Sequence, residues 1–245
     1  MKKIIVSHKR PDRVTTTQHI ANCSICVPES QREEYERYND VEIIAHPDTV
    51  VGLSPKRQWI VENYPEHFQL DDDIIGARRV YCPKKYHRAH APTPQEVSDW
   101  IDDLAEIARE AGCYLFGFNS AANPVGYTGA APIRMNKYLT GGAFGLLKGH
   151  KIYFPDWPEF VGEDYWLSAY NAFVHRKSFI DARLGFTFEN TEVNVGGVSE
   201  YRTEQRRKET YVFLKKHFGD AIEPKKWSPI KPVFMKWEKS LKIPF

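Results

Sequence analysis

The first third of the chain alternates between short apolar runs and charged, helix-favouring segments, and few folds accommodate that alternation. Lys3 to Ser7 reads as a strand, Thr15 to Ala21 as a short helix, and Ile25-Cys26-Val27 as a second strand. Glu29 to Tyr38 favours helix, and Val41 to Ala45 is a third strand closed by His46-Pro47. Ser54-Pro55 reads as a helix start, with Ser54 as N-cap and Pro55 at the first helical position. That helix is expected to run to about Tyr64, before a fourth strand from His67 to Leu70 that ends at Asp71. Repeated strand-helix units predict an α/β fold with a mostly parallel central sheet and right-handed crossovers. Ligands of such sheets sit beyond the carboxyl ends of the strands, and the triplet Asp71-Asp72-Asp73 falls at one of them.

Later segments continue the pattern. Thr93-Pro94-Gln95-Glu96 opens a helix in which Val97, Trp100, Ile101, Leu104, Ile107 and Ala108 recur at helical spacing, and Gly112 ends it. Strands are expected at Tyr114 to Phe118 and at Thr140 to Leu147, the latter led by Gly141-Gly142. Helices are expected at Trp166 to Phe173 and at Thr203 to Phe218, with Gly219 as the stop. With 245 residues and no evident linker, one domain over 1–220 plus a basic, aromatic extension over 221–245 is the simplest organisation.

Charge and apolar patterning exclude several classes. The formal net charge is only +2, so any surface for nucleic acid must be local. No run of 18 apolar residues is present, which predicts no membrane span. The opening Met1-Lys2-Lys3-Ile4-Ile5-Val6-Ser7 soon meets Lys9 and Arg10, unlike a signal peptide, so the expected location is the cytoplasm. Cys23 and Cys26 form one isolated Cys-x-x-Cys pair without a second pair to complete a zinc site, which favours ordinary reduced thiols.

The acidic triplet carries the strongest chemical signal. Three adjacent carboxylates repel one another, and holding them at a strand end costs stability unless a cation or hydrogen-bond donors compensate. Oxygen ligands suit Mg²⁺ or Mn²⁺, which bind one or two protein carboxylates together with substrate phosphates and water. On an extended backbone Asp71 and Asp73 would face the same side. The competing reading is a solvated acidic turn.

An apolar strand running into Asp-x-Asp about 70 residues into an α/β domain resembles the DXD motif of the GT-A glycosyltransferases, which have a Rossmann-like nucleotide-diphospho-sugar transferase fold. The resemblance implies a UDP-sugar donor, with UDP-glucose or UDP-N-acetylglucosamine as candidates. It gives the metal to Asp73, the metal or the ribose to Asp71, and a donor-side place to Asp72 between them. Ser7 to Arg13 lies where the nucleotide loop is expected, which nominates Arg10 and Asp12. Gly52 to Gln58 precedes the DXD strand, where a basic residue approaches the diphosphate, and Arg57 is the candidate.

Gly162-Glu163-Asp164-Tyr165-Trp166 resembles the Glu-Asp motif of inverting members. The resemblance makes Asp164 the catalytic base and gives Glu163 an orienting role. Acids at a helix N-terminus are also common for dipole reasons alone. Gly141 and Gly142 would let backbone approach the donor sugar. Gly196-Gly197-Val198-Ser199 with Arg202 and Arg206 would form a loop over the diphosphate. His175 and His217 are possible further ligands between which the spacing does not choose.

The pattern also resembles the TET-associated glycosyltransferases of bacteriophages. The matching pieces are Gly52 to Ile74, Thr140 to Leu147, and Asp181 to Phe186 leading to Asn190-Thr191 and Gly196-Gly197. That resemblance implies 5-hydroxymethyl-pyrimidine in DNA as acceptor, hydroxymethylcytosine above all, and a host-cytoplasmic location if the chain is phage-encoded. Arg78, Arg79, Lys84, Lys85 and Arg88, interleaved with Tyr81, Tyr86, His87 and His90, are suited to phosphates and an extruded base. Six lysines from Lys225 to Lys242 stand against one acid, Glu238, with Trp227, Phe234 and Trp237 among them. Both stretches are equally what a solvated face would show. Alternatives are a glycan, lipid or protein acceptor, a nucleotidyltransferase of the same fold, and a non-catalytic DNA-binding module.

Overall fold

The computed structural model describes residues 1–83, 85, 90–119, 122–124, 127–189, 202–226 and 237–243. Strands β1 (Lys2–Val6), β2 (Cys23–Pro28), β3 (Glu42–His46) and β4 (His67–Asp71) form an all-parallel half-sheet in the order β3-β2-β1-β4. Helices α1 (Arg32–Tyr38) and α2 (Leu53–Asn63) are the crossovers that the sequence pattern predicts. Beyond β4 the sheet continues through β8 (Ala143–Leu146), β6 (Leu115–Asn119), β9 (Phe179–Phe188) and β5 (Ile74–Arg79), with β7 (Ile133–Met135) also on β9. β8 lies antiparallel to β4 and β6, while β5 and β7 lie antiparallel to β9. The remaining six of the nine strands share one direction, so the α/β sheet is mostly parallel with a mixed half. The architecture is Rossmann-like and of the GT-A kind.

Alternation along β1 shows how the two faces are filled. Ile5 points into a cluster with Ile25, Phe68 and Phe116, covered by Val97, Ile101, Leu104 and Ala108 of α3 (Pro94–Glu110). Ile4 and Val6 point the other way, against Cys26, Ile44 and Ile60 of α2. Helix α4 (Glu163–His175) covers the same side further along, where Leu167 meets Phe144, Leu146 and Ile180. Period-two alternation with apolar residues on both faces is what a sheet sandwiched between helices requires.

Most expected elements are present, with local corrections. Thr15 to Ala21 forms only a 3₁₀ turn, Thr16–Gln18. Helix α2 is capped by Gly52 rather than Ser54. Gly52 sits at φ 89°, and a Cβ there would lie 2.2 Å from the Pro158 oxygen, so only glycine fits. Ser54 lies inside the helix and donates to the Pro155 carbonyl at 2.5 Å. Thr93 and Glu96 form a reciprocal capping box on α3. Gly141-Gly142 precede β8 as a turn rather than belonging to the strand.

Helix α5 (Glu204–Phe218) follows Thr203, whose side chain caps it. The segment expected to be a basic extension returns to the body of the protein: β11 (Lys239–Leu241) pairs antiparallel with β10 (Ile222–Pro224). Leu241 packs beside Phe160, Trp166, Leu214 and Ile222. Among the described residues, no helix is long and apolar enough to cross a membrane.

Candidate active site

A cleft of about 480 Å³ opens at the carboxyl ends of β1, β2 and β4. Ser7, Arg10, Lys56, Asp71, Asp72, Asp73, Glu163 and Arg202 all line it. The cleft therefore gathers residues from five separate stretches at the position a parallel sheet reserves for ligands.

The three acids do not share one extended strand as expected. β4 ends at Asp71, and Asp72 and Asp73 form a turn from which the chain leaves for β5 at the opposite margin of the sheet. Two threonines shape the corner. Thr16 Oγ1 donates to the Asp71 carbonyl at 2.7 Å and accepts from the Ile74 amide at 3.0 Å. Thr15 donates its amide to the Asp72 carbonyl at 3.0 Å and its hydroxyl to the Ile74 carbonyl at 2.9 Å.

Each carboxylate meets different surroundings. Asp71 accepts from Arg57 at 2.9 Å and is 35% exposed. Asp72 is buried, accepting from Ser7 Oγ at 2.5 Å and from Arg10 at 3.2 Å. Burial raises its pKa, and the Ser7 bond and Arg10 oppose that rise. Asp73 is 5% exposed, and its Oδ1 is buried without a hydrogen-bond partner. Burial, then the charges of Asp71 and Asp72, push its carboxyl up to about 7. A buried carboxylate oxygen left without a donor, beside two other acids, is one that a bound cation would satisfy. No three His, Cys, Asp or Glu side chains among the described residues form a cage by themselves. Mg²⁺ and Mn²⁺ need only one or two carboxylates when phosphate and water complete the shell, so Asp73 and Asp71 suit such an ion.

Arg57 is placed differently from expectation. Its side chain is fully buried, it donates to Gln69 Oε1 at 3.0 Å as well as to Asp71, and it does not line the cleft. The guanidinium holds a carboxylate in place rather than offering its fork to a phosphate. Lys56, one residue earlier, does reach the cleft. Its ammonium is buried and donates to the Ser7 carbonyl at 2.5 Å, and burial pulls its pKa down to about 8. Arg10 and Arg202 also line the cleft. Asp12 does not: it is exposed beside Arg13, at 3.9 Å.

Gly141 and Gly142 lie where the acidic corner meets α4. A Cβ on Gly142 would lie 3.1 Å from Asp71 Oδ2, and one on Gly141 would lie 3.4 Å from Glu163 Oε1 and 3.6 Å from the Arg57 guanidinium. Glu163 and Asp164 open α4, as expected. Burial and the neighbouring Asp164 push Glu163 up to about 7, against the pull of Arg57. Asp164 accepts from the Tyr138 hydroxyl on Oδ2 and from the Tyr165 amide on Oδ1 at 2.8 Å. Burial and then Asp164 hold the Tyr138 phenol well above its usual range.

Other candidates fall outside this cluster. His175 accepts from the Lys151 amide at 3.0 Å, and His217 donates to the Phe213 carbonyl at 2.8 Å; neither lines the cleft. All four cysteines are free, and burial raises Cys26 to about 11, as inert structural thiols require. Arg79 is committed to Glu96, the His90 carbonyl and the face of Trp100, so it is not open to phosphate. Lys239 is buried and Lys242 pairs with Glu223 at 2.6 Å, which removes two lysines from the expected basic tail. Lys84, Tyr86, His87, Arg88, Asn190-Thr191, Gly196 to Ser199, Trp227 and Phe234 lie outside the described residues.

Sequence reasoning missed Thr16, Tyr35, Gln69, Tyr138 and Lys239. Gln69 alone left a trace, as a polar residue inside an apolar strand. Tyr35, on α1, bonds Ser7 at 2.7 Å and accepts from the Arg10 amide at 3.0 Å, but its position in a charged helix gave no hint of this.

A GT-A sheet with an acidic corner at the carboxyl end of β4 and Glu163 of α4 facing it, while Asp164 beside it does not line the cleft, is consistent with the class of glycosyltransferases. The family model of the TET-associated glycosyltransferases matches residues 1–172, and the chain belongs to that family. The match takes in Gly52 to Ile74, Thr140 to Leu147 and the Glu163-Asp164 pair, and ends before Asp181 to Phe186. None of the curated proteins matches the chain.

Proposed function

We propose that this chain transfers a sugar from a UDP-sugar to the hydroxyl of a 5-hydroxymethyl-pyrimidine in DNA, hydroxymethylcytosine being the preferred base, and that the reaction needs Mn²⁺ or Mg²⁺. One observation carries the metal and donor part of this reading: the buried, unpartnered Asp73 Oδ1 at the cleft, beside Asp71. Asp73 and Asp71 would hold the ion. When bound, it supplies positive charge to the leaving diphosphate. Lys56, Arg10 and Arg202 add cationic groups along the same wall.

Asp164 takes the proton of the attacking hydroxyl. The acceptor oxygen forms its bond to the anomeric carbon, the bond from that carbon to the phosphate oxygen breaks, and UDP leaves with the electron pair. Tyr138 and the Tyr165 amide fix the carboxylate of Asp164 from two sides. Each carboxylate oxygen keeps a second lone-pair direction for the incoming proton. Arg57 holds Asp71, while Asp72 ties the corner to the loop after β1.

The DNA acceptor draws its support from family membership and from the position of Arg78 and exposed Tyr81 at and just after the end of β5. A screen of UDP-sugars with a hydroxymethylcytosine duplex, with and without Mn²⁺, tests the reading. Wild-type protein should add one hexose to the DNA by mass, and Asp73→Ala should not. Turnover that is equal in both proteins would remove the assignment. A hexose on a free sugar or protein would move the acceptor, and a nucleotide added instead would move the reaction to nucleotidyl transfer.

A further inference from the structure

The C-terminal hairpin lies beyond the matched family segment, yet it reaches the residue beside the base. Lys239, the first residue of β11, is only 6% exposed. Its ammonium stands 4.5 Å from the centre of the Tyr165 ring, and its carbonyl accepts from the Tyr165 hydroxyl at 2.7 Å. Tyr165 in turn donates its amide to Asp164. The ring of Tyr138, the other donor to Asp164, packs 5.2 Å from that of Tyr165. Lys239, Tyr165, Tyr138 and Asp164 are thus one contiguous cluster.

Several contacts fix the hairpin there. Glu238 pairs with Arg207 of α5 at 2.8 Å and accepts the Lys225 amide through its carbonyl at 2.8 Å. Leu241 joins the apolar cluster of Trp166 and Leu214. A buried ammonium is costly, and at this place a methionine would fill the same volume without that cost. Burial pulls the pKa of Lys239 down; Asp164, Glu238 and Glu163 oppose that shift, and Glu238 is already held by Arg207.

We propose that the hairpin completes the active site and that Lys239 is a positioning residue whose ammonium, seated on the Tyr165 ring, holds the Tyr165–Tyr138 pair against the carboxylate of Asp164. The proposal rests on the reading of Asp164 as the base. The charged or titratable groups around Asp164 are Glu163 on its own helix, Tyr138 and Tyr165, Lys239 with Glu238 and Arg207 behind it, and Arg57 across Gly141.

Full-length protein labelled with ¹³C at aspartate carboxyls gives the test, the Asp164 signal being assigned by its loss in Asp164→Asn. In Lys239→Met the Asp164 carboxyl signal should move away from its wild-type chemical shift, and Lys239→Arg should restore it. With the donor and acceptor of the transfer assay, Lys239→Met should lower kcat about tenfold and leave the donor KM unchanged, and Lys239→Arg should restore kcat. If the methionine variant does not fold, Lys239→Gln replaces it in both measurements. An unchanged Asp164 chemical shift in the folded neutral variant overturns the role of Lys239, whatever the transfer assay gives. An Asp164→Asn protein that still transfers sugar overturns the base reading alone and leaves the chemical-shift result standing.

Discussion

Arg57 donates to Asp71 at 2.9 Å from a side chain that has no solvent exposure, while Asp71 itself faces the cleft. The pairing is the last link of a chain. Tyr64 accepts from His67 Nδ1, His67 Nε2 accepts from Gln69 at 2.9 Å, and Gln69 Oε1 accepts from Arg57. Each donor and acceptor role in the chain is fixed only if His67 is neutral, and burial holds its pKa down at about 4. Arg57→Ala would strand Gln69 Oε1 and the inward oxygen of Asp71. Removing one partner of a buried charge pair typically costs about 3–5 kcal/mol, and the exposed side of Asp71 places this case at the lower end. Urea unfolding should show that loss. Arg57→Lys should keep the charge yet fail to bridge Gln69 and Asp71 together, leaving a folded protein with weakened transfer.

Ser7 plays the corresponding part for Asp72. Its hydroxyl lies between the Asp72 carboxylate and Tyr35, and its carbonyl receives the Lys56 ammonium. Ser7→Ala removes one donor to a buried carboxylate, for which about 2 kcal/mol is the usual cost. Because the same atoms shape the cleft floor, donor KM should rise more than kcat falls. A variant with wild-type stability and wild-type KM would show that Asp72 needs no hydroxyl.

The parallel half of the fold was legible because β1 to β4 carry apolar residues on both faces and are separated by charged crossovers. The mixed half was not. β5 reads Ile74-Ile75-Gly76-Ala77-Arg78-Arg79 and β9 contains Asp181, Arg183 and Gly185, so neither shows a clean period, and each is a strand because the other pairs with it. Local propensity does not encode such long-range pairing. The acids of the site were legible as a cluster and as a helix opening. Their holders were not, since Thr16, Tyr35 and Tyr138 act across 25 to 58 residues of chain and have ordinary neighbours. Arg57 was read as a phosphate ligand because the resemblance puts a basic residue near the diphosphate in that stretch, but a resemblance cannot say whether a side chain on α2 turns outward or toward Gln69.

Gly142 is expected to be less replaceable than Gly141. A Cβ at 142 would meet the Phe188 ring at 2.6 Å and Asp71 Oδ2 at 3.1 Å, so both neighbours would have to move. At 141 the nearest atoms stand at 3.4 Å or beyond, an ordinary contact. Gly142→Ala should therefore cost about 1–3 kcal/mol, as overpacking does, and reduce transfer by displacing Asp71. Gly141→Ala should keep its melting temperature while narrowing the gap between Glu163 and Arg57. Parallel melts and transfer assays would test this; equal losses in the two variants would contradict the geometry.

The two raised carboxyls make the metal-free protein sensitive to pH in a defined window. Burial first, then neighbouring acids, lift Asp73 from its ordinary value of 3.8 to about 7 and Glu163 from 4.5 to about 7. A carboxyl whose folded pKa lies above its unfolded value contributes stability that is complete below the unfolded value. That contribution is lost as pH rises through the folded value. Between about pH 4 and pH 7 the melting temperature of metal-free protein should therefore carry a falling term from these two groups. Asp73→Asn removes one of them, so this variant should melt higher than wild type at pH 8 and show a shallower fall. Mn²⁺ added to wild type should raise the melting temperature by several degrees at pH 8 and by little at pH 5, where Asp73 holds its proton and competes with the ion. In Asp73→Asn the added ion should do nothing at either pH. A melting curve indifferent to Mn²⁺ at pH 8 in wild type would mean that the acidic corner does not take the cation in the absence of donor.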